Sequence, residues 1–90
     1  MFRTFMLDYY DDNDKCYHDE VKSFGAFDNA AAIAAILDEY EGRRGYKAVA
    51  IYEIHGVTYE QLEQLSPAET KKHVEFIYMD TKRFKHYAQL

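Results

Sequence analysis

Cys16 and His18 stand two residues apart, Glu53 and His55 repeat that spacing, and these are the pairs whose types could do chemistry. On an extended strand residues i and i+2 share a face, so each pair could act together. A thiol with an imidazole offers a nucleophile and its base, or half of a metal site; a carboxylate with an imidazole offers a general base. The first pair meets an electrostatic obstacle. A nucleophilic cysteine needs its thiolate, which cationic surroundings favour, whereas Asp14, Asp19 and Glu20 flank Cys16. A zinc site needs two further ligands, and His55, His73 and His86 are scattered singly without ligand spacing. Glu53 lies in an apolar run, where burial would raise its pKa toward that of a base, unless it marks the exposed end of a strand. A catalytic role there requires a cleft joining Glu53 to a second polar side chain.

Other chemistries lack their residues. The acidic stretch from Asp11 to Glu20 has no glycine at the sharp turn of a hand-type calcium loop and no acidic residue at its ligand spacing. There are two serines, Ser23 without a motif and Ser66 better explained as a helix cap. Gly42-Arg43-Arg44-Gly45 lacks the length and the following Lys-Ser/Thr of a phosphate-cradling loop. The expectation is a protein that is not an enzyme and carries no cofactor or metal.

Charge is the stronger signal. Residues 1–41 carry ten acidic side chains against three basic, and residues 42–90 six against eight. The acidic groups cluster as Asp11, Asp12 and Asp14, then Asp19 and Glu20, then Asp38, Glu39 and Glu41. With Tyr10 and Tyr17, from a chain holding nine tyrosines and no tryptophan, they are the expected contacts for a protein partner with a basic surface. Asp38, Glu39 and Glu41 fall in the last turn of a helix, where the negative end of the macrodipole disfavours carboxylates. Either Arg43 and Arg44 offset them, or they belong to an acidic face whose spacing imitates a nucleic-acid backbone. The counter-reading is a small nucleic-acid-associated regulatory domain using Arg43, Arg44, Lys82, Arg83 and Lys85 with nearby rings, against which the net charge of −5 works.

Ninety residues make a single globular domain, 1–90, since halves would be too small to bury a core without staples. The lone Cys16 permits no internal disulfide, and no apolar run approaches a membrane span or a leader, so a cytoplasmic protein without a membrane partner is expected. Phe2 to Tyr10 reads as a strand, Asp11-Asp12-Asn13-Asp14 as a turn, and Lys15 to Phe24 as the returning strand of a hairpin. Gly25-Ala26-Phe27 ends it and Asp28 caps a helix whose inner face is Ile33, Ile36, Leu37 and Tyr40, with Gly42 as a left-handed C-cap and small Ala31 and Ala35 on the far side.

Tyr46 to Ile54 is apolar on both alternating sets, with Tyr46, Ala48, Ala50, Tyr52 and Ile54 on one, and suits a central strand covered on two faces. Thr58 caps a short helix through Leu65, Ser66-Pro67-Ala68-Glu69 forms a capping box for another, and Val74 to Met79 is a fourth strand. The tail from Thr81, with Phe84, Tyr87 and Ala88 at helical spacing but Arg83, Lys85 and Tyr87 alternating, fits strand or helix. The expected class is α+β: a small, mainly antiparallel sheet in the order β-β-α-β-α-β with helices packed on it, and a right-handed crossover wherever parallel strands are joined.

In size and charge the chain resembles the general profile of small acidic single-domain inhibitors of bacterial restriction or CRISPR effectors carried by phages and mobile elements, though it holds no family motif. That profile implies a non-enzymatic inhibitor or modulator occupying a basic, nucleic-acid-binding surface, with a homodimer among its allowed states. The remaining reading is a minor enzyme or enzyme subunit around Glu53 and His55.

Overall fold

The computed structural model describes residues 2–24 and 28–82. The expected turn at Gly25-Ala26-Phe27 and the tail with Arg83, Phe84, Lys85, His86, Tyr87 and Ala88 lie outside them. Strands β1 (Phe2–Tyr10), β2 (Cys16–Phe24), β3 (Lys47–Ile54) and β4 (Val74–Met79) form one sheet in the order β2-β1-β3-β4. Every neighbouring pair is antiparallel, so no crossover joins adjacent parallel strands. Helix α1 (Asn29–Leu37) continues into a π-helical turn, Asp38–Arg43, and the single-turn helices α2 (Tyr59–Glu63) and α3 (Pro67–Thr70) join β3 to β4. None of the helices described is long and apolar enough to cross a membrane.

The hairpin follows from its turn residues. Asp14 N donates to Asp11 O, Asp11 Oδ1 accepts from the amides of Asn13 and Lys15, and Asp14 takes the left-handed conformation (φ 59°) that lets a three-residue loop rejoin the ladder. Asp28 caps α1 through Ala31 N (2.7 Å) as expected. At the other end the expectation fails: Gly42 is no left-handed cap but lies inside the π-turn, where an added Cβ would come within 3.3 Å of Asp38 Oδ1. The left-handed glycine is Gly45 (φ 72°), where the chain turns into β3.

Phe5, Leu7 and Tyr9 alternate toward α1, whose Ala32 and Ile36, with Tyr40 of the π-turn, close the main core over Ala48 and Ile51. Tyr10, Val49 and Ala50 form a second cluster with Cys16 and Tyr52. The strict alternation expected along β3 is interrupted. Asp8 pairs with Ala50 and Tyr9 with Ala48, so Val49 is an inserted residue. The bulge splits the presumed single set, sending Tyr46 and Ala48 to the α1 side and Ala50 and Tyr52 to the other. Thr58 and Gln61 make a complete reciprocal capping box for α2, which ends at Glu63 rather than Leu65. Ser66 caps α3 through Glu69 N, while the Glu69 carboxylate pairs with Lys72 instead of returning to the cap.

Candidate interaction site

β1 ends and β2 begins at the hairpin tip, and α1 runs from the opposite end of the sheet, where Arg3 binds Asn29, toward that same tip. The π-turn and the start of β3 therefore arrive beside the hairpin, with Tyr10 opposite Lys47 and Lys47 Nζ 3.6 Å from Asp14. Two acidic segments far apart in sequence thus share one pole. The hairpin tip carries Asp11, Asp12, Asp14 and Lys15, the π-turn brings Asp38, Glu39, Glu41 and Arg43 with Arg44 and Lys47 after it, and Asp19 is tied to both through Tyr9 and Tyr40.

The individual carboxylates have different tasks. Asp11 builds the turn, and its backbone hydrogen bonds hold its carboxyl below the usual range. Asp19 is half-buried and accepts from Tyr9 (3.2 Å) and Tyr40 (3.1 Å). Burial and the Asp19 charge push the Tyr40 hydroxyl up to about 12, so the ring stays a neutral donor. Glu41 accepts from Ala48 N (2.9 Å), tying the π-turn to β3. Asp38 and Glu39 face Arg43 at 3.5 and 3.7 Å, Arg44 reaches Glu39 at 3.2 Å, and all four side chains are exposed, so these pairs are solvent-screened. Asp12 and Asp14 are exposed, while Glu20 faces Lys22 (3.1 Å) at mid-strand, away from the pole.

The two tyrosines expected at the contact part company. Tyr10 is buried, 6% exposed, because its strand position points into the second cluster, so its ring is core. Tyr17 is 39% exposed, capped by Lys15 and stacked on Tyr9, which stacks in turn on Tyr46. Of the basic counter-patch, Arg43 and Arg44 pair with Asp38 and Glu39, Arg44 also lies over the Tyr40 ring, Lys82 is exposed, and Arg83 and Lys85 are outside the described residues.

Glu53 is buried but neither solvent-facing nor poised as a base. Arg3 grips both its oxygens at 2.9 and 2.8 Å, and that guanidinium holds its carboxyl below the usual range. His55 Nε2 lies 3.2 Å from Glu75 and 3.6 Å from Glu53, a trio with metal-ligand groups within 4.8 Å of one another. A dication there would sit against the Arg3 charge already bound to Glu53, so the donor set fits a structural ion pair better than a metal. His73 Nδ1 is 2.8 Å from His55 O, a carbonyl that can only accept, so the nitrogen carries its proton and donates. Cys16 and His18 share a face as expected, yet burial and the Asp8 charge push the thiol up, against nucleophilic use.

Sequence reasoning passed over Asp8. It is 7% exposed at mid-sheet, its carboxylate accepts from Tyr52 (2.6 Å), and burial raises its pKa despite that bond and the nearby His18. The available signal was an acid inside the otherwise apolar Phe5-to-Tyr10 run. No protein-family model matches the chain, and neither a curated protein nor a solved structure is detectably similar to it.

Proposed function

We propose that this domain is a non-enzymatic binding protein whose acidic pole occupies a basic surface of a larger protein, acting as its inhibitor or modulator. The observation that carries this reading is the convergence of the hairpin tip and the π-turn at one end, seven carboxylates against four cations, with Tyr17 exposed beside them. A net anionic pole accelerates encounter with a cationic surface, and a tyrosine held by stacking offers contact area at low entropic cost. The sequence places Asp38, Glu39 and Glu41 in the last helical turn, but the helix runs on as the π-turn to Arg43, so a cation meets the negative end of the macrodipole while Asp38 and Glu39 lie at the start of that turn as surface carboxylates. Where the basic surface is a nucleic-acid site, the spaced carboxylates compete for it.

The test is a comparison of captured proteins from cell lysate. The Asp12→Lys, Asp38→Lys double variant changes two exposed groups, of which Asp38 makes a solvent-screened pair with Arg43, so the fold should stay intact by circular dichroism. The wild type should hold a partner at low salt and lose it at high salt, the double variant should lose it at both, and Lys71→Glu, Lys72→Glu should retain it. Capture unaltered by the double reversal would overturn the reading.

A further inference from the structure

β2 is an edge strand of nine residues, paired on one side only, and its register with β1 runs without a bulge from Phe24 to Cys16. It contains no proline, whereas the β3–β4 ladder is broken by a register shift. Long, flat, unbulged edges are the ones a second strand can join. Asp11 N donates to Lys15 O, which fixes the parity of the hairpin ladder. Odd positions of β2 bond to β1, so His18, Glu20 and Lys22 direct their backbone N–H and C=O outward.

Among the registers centred on the middle of β2, from Asp19 to Lys22, that parity and the side-chain charges together favour one pairing. Two copies of β2 meeting antiparallel about a two-fold axis must pair even positions with even positions. Centring the axis on Glu20 sets Glu20 against itself, centring on Asp19 does the same for Asp19, and centring on Lys22 opposes two lysines; each is a direct like-charge pair. Centring on Val21 places Glu20 opposite Lys22 of the second copy, twice, and Val21 opposite Val21. Beside that seam, on the α1 side, lies an apolar groove of about 120 Å³ floored by Phe5 and Val21 and walled by Ala32, Ala35 and Ile36. Ala35 on its wall is exposed, so the groove opens to the surface.

We infer that β2 is a self-association edge: two copies join through antiparallel β2 strands centred on Val21, making one eight-stranded sheet with reciprocal Glu20–Lys22 pairs. The occupant is a second copy of this chain because its own strand supplies the complementary order of charges.

Sedimentation velocity over a concentration series tests the pairing. The wild type should form a dimer. Glu20→Lys and Lys22→Glu, each folded by circular dichroism, should each sediment as a monomer because like charges then face one another. Mixed in equal amounts, the two variants should form a one-to-one heterodimer, which no change confined to one chain can produce. A second measurement avoids any folding defect: Val21→Cys in a Cys16→Ser background should oxidise to a covalent dimer, since a non-hydrogen-bonded antiparallel pair holds its Cα atoms about 4.5 Å apart, within disulfide reach. A wild type that stays monomeric, single variants that dimerise as the wild type does, a mixture that fails to associate, or a cysteine variant that does not cross-link would each overturn the inference.

Discussion

Two buried carboxylates respond to pH in opposite senses, and the difference lies in what faces them. Glu53 is paired with Arg3 and titrates below its ordinary value, so the unfolded chain binds the proton more tightly. Its stabilisation is complete above the ordinary carboxylate range and is lost as pH falls through the depressed folded value. Glu53→Gln should cost about 1–3 kcal/mol at neutral pH by leaving Arg3 poorly paired, and the gap should narrow in acid-denaturation curves. Asp8 is buried against Tyr52, and that burial outweighs the Tyr52 bond and the nearby His18, so it titrates above its ordinary value. Stability is therefore fullest below the ordinary value and declines as pH rises through the folded one. Asp8→Asn keeps an acceptor for Tyr52 and should raise stability at pH 7 by about 1 kcal/mol, with no gain in strong acid, in urea melts at both pH values. Neither environment was legible in the sequence. In the sequence both are acids inside apolar strands, and only the folded contacts show that Arg3 reaches Glu53 while Tyr52 reaches Asp8.

At the scale of elements, local chemistry was readable where a side chain acts on its own backbone. Asp28, Thr58, Ser66 and the Asp11 turn all act within four residues, and strands β1 and β4 begin and end where composition places them. What escaped was the insertion of single residues, the Val49 bulge and the π-turn, because both are settled by tertiary contacts that let an extra residue in. Backbone strain at the turns supplies a prediction. Asp14 holds a left-handed conformation that glycine adopts freely, and its exposed pair with Lys47 is worth little. Asp14→Gly should stabilise the domain by about 0.5–1 kcal/mol, whereas Gly45→Ala should destabilise it by about 1 kcal/mol although open space surrounds the added methyl. Thermal melts of the two variants should therefore shift in opposite directions.

Across the whole molecule, charge segregation along the sequence becomes segregation in space only in part. The hairpin and the π-turn meet, but they bring Arg43, Arg44 and Lys47 with them, so the pole is a mixed field with an acidic excess rather than a bare acidic face. A count over residues 1–41 leaves these cations out, although the offset of Asp38 and Glu39 by Arg43 and Arg44 is one of the two arrangements the sequence allows, and it is the one the structure holds. For the proposed partner, association rates should fall steeply with ionic strength while dissociation changes little, measured by stopped-flow mixing of the captured protein. A salt-insensitive association rate would place the contact on Tyr17 and its stacked rings instead of on the field.

The π-turn also bears on how this chain can change length. It winds one residue more into the end of α1 than an α-helix would hold, yet delivers Tyr40 into the core and hands Tyr46 N back to Tyr40 O at 2.9 Å. The wider turn fits there with the core and the sheet in register, so the same place should absorb the removal of one residue. Deleting Gly42, which follows the last buried side chain of the turn, should leave a folded protein with an α-helical end, whereas deleting Ala34 would rotate Ile36 and Tyr40 out of the core. The end of α1 is thus the fold's adjustable joint, where an insertion or deletion leaves the core in register.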